Sequence, residues 1–261
     1  EWVPAEVSPA HTAEGFNIRE LYVKSIATFR PAPNIEEQLF SAGFTPDHLD
    51  VFEDLKGVFT GAYRELSLRF CYHLVELAEN PDKGPLVRVI WDGPSTIIGV
   101  AAKDYRGLAA SITGALASQE IPLLQAHLFS AGRYGLALDF FHVVLSDRSI
   151  GPQLATSLDE VIRGHLYISD SDEATLVPVR EAITLRAWDK HGRYELQLET
   201  PDHATGLIHA LTYRIYRYLG ANIFGLSAYS ARGTAYISVY ISLPSKLSLK
   251  KAQQIVAERF A

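Results

Sequence analysis

One cysteine, Cys71, occurs in 261 residues. That excludes an internal disulfide and a zinc cage built from thiolates, and it fits a reducing compartment. Methionine is absent altogether, the initiator included. A chain of this length without one is expected to be a piece of a longer polypeptide, or to have lost methionines from its sequence. No apolar run reaches the length of a membrane span, and the opening stretch EWVPAEVSPAHTAEG lacks the charged and hydrophobic regions of a secretory signal. The expected compartment is the cytoplasm, with no membrane association. Basic runs and acidic tails are missing too. With a formal net charge of −6, no nucleic-acid partner is expected, because such binding draws its affinity from phosphate neutralisation by Lys and Arg.

The chain also lacks a nucleophile elbow, a phosphate loop and a zinc-protease helix. Asp47, His48, Asp50, Glu53 and Asp54 crowd one short helical stretch, but their spacing reads as a solvated face rather than a metal site. His127 and His142 read as ordinary sheet residues. Asp170-Ser171-Asp172 is half of a nucleotidyltransferase carboxylate pair, without the Gly-Ser helix such a site needs. The expectation is therefore a protein that is not an enzyme, with no catalytic residue, no metal and no cofactor.

What is present is a duplication. One copy begins VRVIWDGPSTIIGVAAKDYRGLAASITGAL and the other ITLRAWDKHGRYELQLETPDHATGLIHALTYRI. Each has a Trp-Asp pair (Trp91-Asp92, Trp188-Asp189), a second strand, an Asp shortly before a Gly-Leu pair, and a helix. Leu108, Ile112 and Leu116, and likewise Leu207, Leu211, Ile215 and Leu219, recur every four residues, which predicts amphipathic helices. Tyr236, Ser238, Tyr240 and Ser242 alternate with Ile237, Val239, Ile241 and Leu243, a strand with one face on a core. Each copy ends in a further helical pattern, IGPQLATSLDEVIRGHL and SLKKAQQIVAERF. The unit is strand, strand, helix, strand, strand, helix. The predicted class is α+β: two ferredoxin-like repeats, antiparallel sheets with helices on one face. A helical region precedes them. The expected divisions are residues 1–85, 86–170 and 171–261, with SDSDEA (169–174) connecting the repeats.

The stretch KDYRGLAASITGALASQEIPLLQAHLFSAGRYGLALDFFHV resembles an ACT domain, through Asp104, Gly107 and Leu108 and through Leu138-Asp139-Phe140-Phe141. Tyr105-Arg106 stands where that family has Arg-Pro, and the second copy has one residue more, in DHATG. The order of elements, with an extra strand before the motif, is similar to the tandem ACT pair that closes the uridylyltransferase of the PII nitrogen-signalling protein. The resemblance implies allosteric regulation by a small-molecule effector, an amino acid, bound at the strand-to-helix corner. There a glycine exposes the first helical N–H groups to a carboxylate. It places Asp104, Tyr105, Arg106, Gly107 and Leu108 in one site and Asp202, His203, Gly206 and Leu207 in the other. Asp104 and Asp202 would cap the helix or accept from an amino group, and Asn222 would reach across the domain interface. The plainer alternative is that each glycine only permits a turn and each aspartate only caps a helix.

Three functions stay open. The first is a tandem ACT binding module, a homodimer acting on an attached or separate catalytic domain. The second is the regulatory segment of a larger nitrogen-metabolism enzyme, uridylyltransferase-like or a large NAD-dependent glutamate dehydrogenase. The third and weakest is RNA binding through Tyr236 and Tyr240. A layer covering those tyrosines, from the N-terminal helices or a second subunit, explains them more simply.

Overall fold

The computed structural model describes residues 39–41, 43–53, 64–80, 82–92, 95–131, 133–145, 147–164, 183–188, 192–201 and 206–260. Asp202, His203, Asp54, the 165–182 connection with Asp170-Ser171-Asp172, and most of the N-terminal region lie outside the described residues. No helix among the described residues is long and apolar enough to cross a membrane.

Two helices come first, α1 (Pro46–Glu53) and α2 (Arg64–Glu79). The first repeat then runs β1 (Leu86–Asp92), β2 (Ser95–Lys103), α3 (Leu108–Ser118), β3 (Leu123–Ala131), β4 (Leu136–Val143) and α4 (Ile150–Gly164). The second runs β5 (Ile183–Ala187), β6 (Arg193–Pro201), α5 (Leu207–Arg214), a π turn (Ile215–Leu219), β7 (Asn222–Ala231), β8 (Thr234–Ser242) and α6 (Leu249–Arg259). The fold is α+β with two ferredoxin-like repeats.

The repeats share one sheet. Its order is β1-β2-β4-β3-β7-β8-β6-β5, and every neighbouring pair is antiparallel. The inner edges meet as β3 and β7, which removes two exposed strand edges at once. Glu120 and Gly220, both left-handed at φ 55° and 56°, mark equivalent positions 100 residues apart. On that offset His127 pairs with its own equivalent, Ser227, while Ala126 pairs with Ala228 and Leu128 with Leu226. The pseudo-twofold axis of the duplication passes through that pair. Above it α3 packs on α5, and the Thr113 and Thr212 hydroxyls hydrogen-bond at 2.9 Å in a buried contact.

One face of the sheet carries α3, α4, α5 and α6 over a continuous core that includes Ile112, Leu116, Leu154, Leu158, Leu211 and Val256. On the other face, α2 sets Phe70, Cys71 and Leu74 against Ile97, Leu138 and Phe140 of the first repeat. Gly99 makes this possible, since a Cβ there would lie 2.5 Å from the Phe70 ring. Among the described residues, the N-terminal helices pack on the first repeat. Tyr240 packs against Trp188, ring centroids 4.7 Å apart, and Trp188 is half exposed.

The helix expected from Leu207 to Leu219 is α-helical only to Arg214 and then widens into the π turn. Ile215 and Leu219 of the π turn are buried like Leu207 and Leu211; Leu108, Ile112 and Leu116 have the same spacing in an α3 that stays α-helical, so spacing alone does not set the π turn. The offset between copies accordingly grows from 99 at Thr113/Thr212 to 100 at Glu120/Gly220.

Candidate functional site

The corner between β2 and α3 is a four-residue turn. Leu108 N–H donates to the Tyr105 carbonyl at 3.0 Å, and Gly107, at the third position, holds φ 102° and ψ −2°. This is the type II geometry that calls for glycine, so Arg106 takes the place where proline is favoured without preventing the turn. Gly206 repeats it at φ 99°, ψ −2°. A Cβ on Gly107 would meet the Tyr216 ring at 3.2 and 3.3 Å, so the second repeat lies directly against the corner of the first.

Between them is a cavity lined from both repeats. From the first come Asp104, Tyr105, Gly107, Leu108, Ala109 and Ala110 at the corner, with Leu128, Ser130, Ala137 and Asp139 below. From the second come Thr212 and Tyr216 of the helix and Ala221, Asn222 and Ile223 entering β7. About 20 Å³ of it is open to the centre of a water molecule, room for one.

Asp104 does not cap the helix; α3 has no side-chain cap. Its Oδ2 accepts from Ser130 Oγ at 2.9 Å and from Asn222 Nδ2 at 3.4 Å, the latter contact crossing between repeats. Burial nonetheless raises its pKa above the ordinary carboxylate value, with the two hydrogen bonds opposing. Ser111 N–H finds the Gly107 carbonyl. Ala109 and Ala110 line the cavity, and their N–H groups, in the first turn of α3, have no backbone acceptor behind them. The lining thus combines a partly buried carboxylate with the first turn of a helix. No lysine, arginine or histidine lines it.

Of the residues expected from the sequence, the structure brings Asp104, Tyr105, Gly107, Leu108 and Asn222 together here. Arg106 is exposed and sits over the outer side of Tyr216, 5.9 Å from the ring centroid, rather than in the cavity. Gly206 and Leu207 belong to the other corner, where the register substitutes Pro122 for Asn222 and Ile237 for Asp139. Asp202 and His203 of that corner lie outside the described residues. Sequence reasoning missed Ser130, Asp139, Thr212 and Tyr216 as site residues. Asp139 carried a signal, an acidic residue inside the strand LALDFFHV, whose first six residues are all buried.

His127 and His142 lie edge to face, centroids 6.4 Å apart. Burial, and then the His142 charge, push His127 down to about 4. Among the described residues no three His, Cys, Asp or Glu are grouped to hold a metal.

No family model matches the chain, and no curated protein does. Among solved structures, a protein of unknown function from Galdieria sulphuraria is similar at 19% identity, over 63% of this chain and 92% of that one, with a TM-score of 0.25. The ligand-free regulatory subunit of aspartate kinase from Thermus thermophilus is similar at 18% identity, over 68% of this chain and 97% of that one, also at 0.25. Superposition at that level decides neither fold nor function; the fold rests on the strand pairing itself.

Proposed function

We propose that the chain is a regulatory module of the ACT type that binds a small amino acid or related metabolite between its two repeats and performs no catalysis itself. The observation that carries this is the inter-repeat cavity. Its lining includes both the Asp104 carboxylate, braced by Ser130 and Asn222, and Ala109 and Ala110, whose N–H groups have no backbone acceptor. An ammonium group suits the first and a carboxylate the second, helped by the helix dipole.

The cavity as it stands has room for one water, so an amino acid must widen it. The walls come from different repeats, and Tyr216, a lining residue, carries the exposed Arg106 guanidinium over its ring. Occupancy therefore changes how the repeats sit on one another, a displacement that an attached or separate catalytic domain, or a second copy in a homodimer, can read. A regulatory segment of a larger nitrogen-metabolism enzyme is the same site in a longer chain. RNA binding gains no support: the Tyr240 ring is engaged by Trp188 and Phe224, and buried Glu195 lies opposite it in register.

The test is a thermal-shift screen of the twenty amino acids on the wild-type chain and on Asp104→Ala. A ligand at a hundred times its dissociation constant adds about 2.7 kcal/mol of stability. A shift in the wild type that shrinks in the variant is expected; no shift with any amino acid, or equal shifts in both, would overturn the assignment.

A further inference from the structure

Resting on the amino-acid reading of the cavity, we propose that Asp139 is its specificity residue, selecting ligands whose side chain carries a hydroxyl or amide over those whose side chain is purely aliphatic. Asp139 lies in β4 with buried residues on both sides, and is itself 2% exposed. A carboxyl in that place is expensive unless every oxygen is satisfied. One oxygen, Oδ1, accepts a long hydrogen bond of 3.4 Å from Phe129 N–H. The other, Oδ2, is buried without any partner, and the residue lines the cavity. Among the described residues no lysine, arginine or histidine lines the cavity to meet it.

The unsatisfied atom and the direction it serves follow from the rest of the site. With an ammonium at Asp104 and a carboxylate at Ala109 and Ala110, the third substituent on the ligand's α-carbon is the group left to meet the floor, where Asp139 sits between Leu128 and Ala137. Burial, and the Asp104 charge beside it, push Asp139 well above the ordinary carboxylate range, which favours its neutral form. A neutral carboxyl donates through O–H and accepts through C=O, and it matches a hydroxyl or an amide in either sense. Against a methyl group it stays unpaired, and a site built around a buried polar group rejects the ligand that cannot satisfy it. The narrowness of the cavity favours the smaller members of the class. Among the described residues the other corner has Ile237 in this register position.

Calorimetric titration with two shape-matched pairs tests this: serine against 2-aminobutyrate, and threonine against valine, on the wild-type chain, Asp139→Asn and Asp139→Leu. The polar member should bind about tenfold to a hundredfold more tightly in the wild type. Asp139→Asn, which keeps a donor and an acceptor, should keep the preference; Asp139→Leu, similar in shape, should lose it. Should the leucine variant fail to fold, the wild-type ratios and the asparagine variant decide. Pair ratios within threefold of one, or a tightest wild-type ligand without a polar side-chain group, would overturn this proposal alone. No binding by any amino acid overturns it together with the site.

Discussion

Replacing Gly107 with alanine puts a methyl group where the Tyr216 ring already is. Two costs follow, and the structure supplies a control that separates them. At φ 102° an L-residue is held outside its allowed regions, which costs about 1–3 kcal/mol. The added Cβ lies 3.2 and 3.3 Å from Tyr216 Cδ2 and Cε2, so the ring must move, and shifts of this kind cost about 1–3 kcal/mol. Gly135 is also left-handed, at φ 59°, but nothing lies within 4 Å of a Cβ there; alanine at that position should cost about 1 kcal/mol. Urea unfolding followed by far-ultraviolet circular dichroism measures both. We expect Gly107→Ala to lose about 2–6 kcal/mol, and the excess over Gly135→Ala to shrink, without vanishing, when Tyr216→Ala is added, because the two changes share one contact. Equal losses at Gly107 and Gly135, or an excess undiminished without the Tyr216 ring, would refute the close approach of the second repeat to the corner.

Two further outcomes follow from buried polar groups. Thr113 and Thr212 each also bond a carbonyl in their own helix, at Ala109 and His209; each valine substitution should cost about 1 kcal/mol, and the double variant less than the sum, whereas strict additivity would mean the hydroxyls do not meet. His127 titrates lower folded than unfolded, at about 4, so its contribution is present above pH 6.5 and is lost as pH falls toward 4, by at most about 3 kcal/mol. Asp139, shifted upward, has the opposite sign: its stabilisation is full below the ordinary carboxylate pKa and lost as pH rises through its folded value. Urea midpoints across pH should therefore show His127→Gln flattening the acid side and Asp139→Asn gaining on the wild type as pH rises; an unchanged profile in either variant removes that group from the account.

The duplication, the element order and the two glycine corners are legible because each rests on local patterning: a period of two in β8, a period near four in α3 and α5, glycine where a turn needs φ above zero. Asn222 was legible only through resemblance. The π turn was not legible: Leu207, Leu211, Ile215 and Leu219 read as one amphipathic helix, the same spacing that Leu108, Ile112 and Leu116 carry in a regular α-helix. Ser130, Thr212 and Tyr216 were not legible, since they reach the cavity only through the pairing of β3 with β7 and the packing of α3 on α5. Those contacts join residues about a hundred positions apart, and periodicity carries no record of them. The cover supplied by α2 depends on Gly99 leaving room for Phe70, again a distant pairing.

The claim that one corner, and not its twin, receives the ligand is tested most directly by amide chemical shifts. The amino acid giving the largest thermal shift is titrated into nitrogen-15-labelled chain. The backbone amides of Ala109 and Ala110 and the side-chain amide of Asn222 are expected to move together, saturating with one constant, while Ile208 and His209, their counterparts beside Gly206, stay still. Shifts centred on Ile208 and His209, or movement of Ala109 and Ala110 without Asn222, would contradict a site built across the two repeats at Gly107.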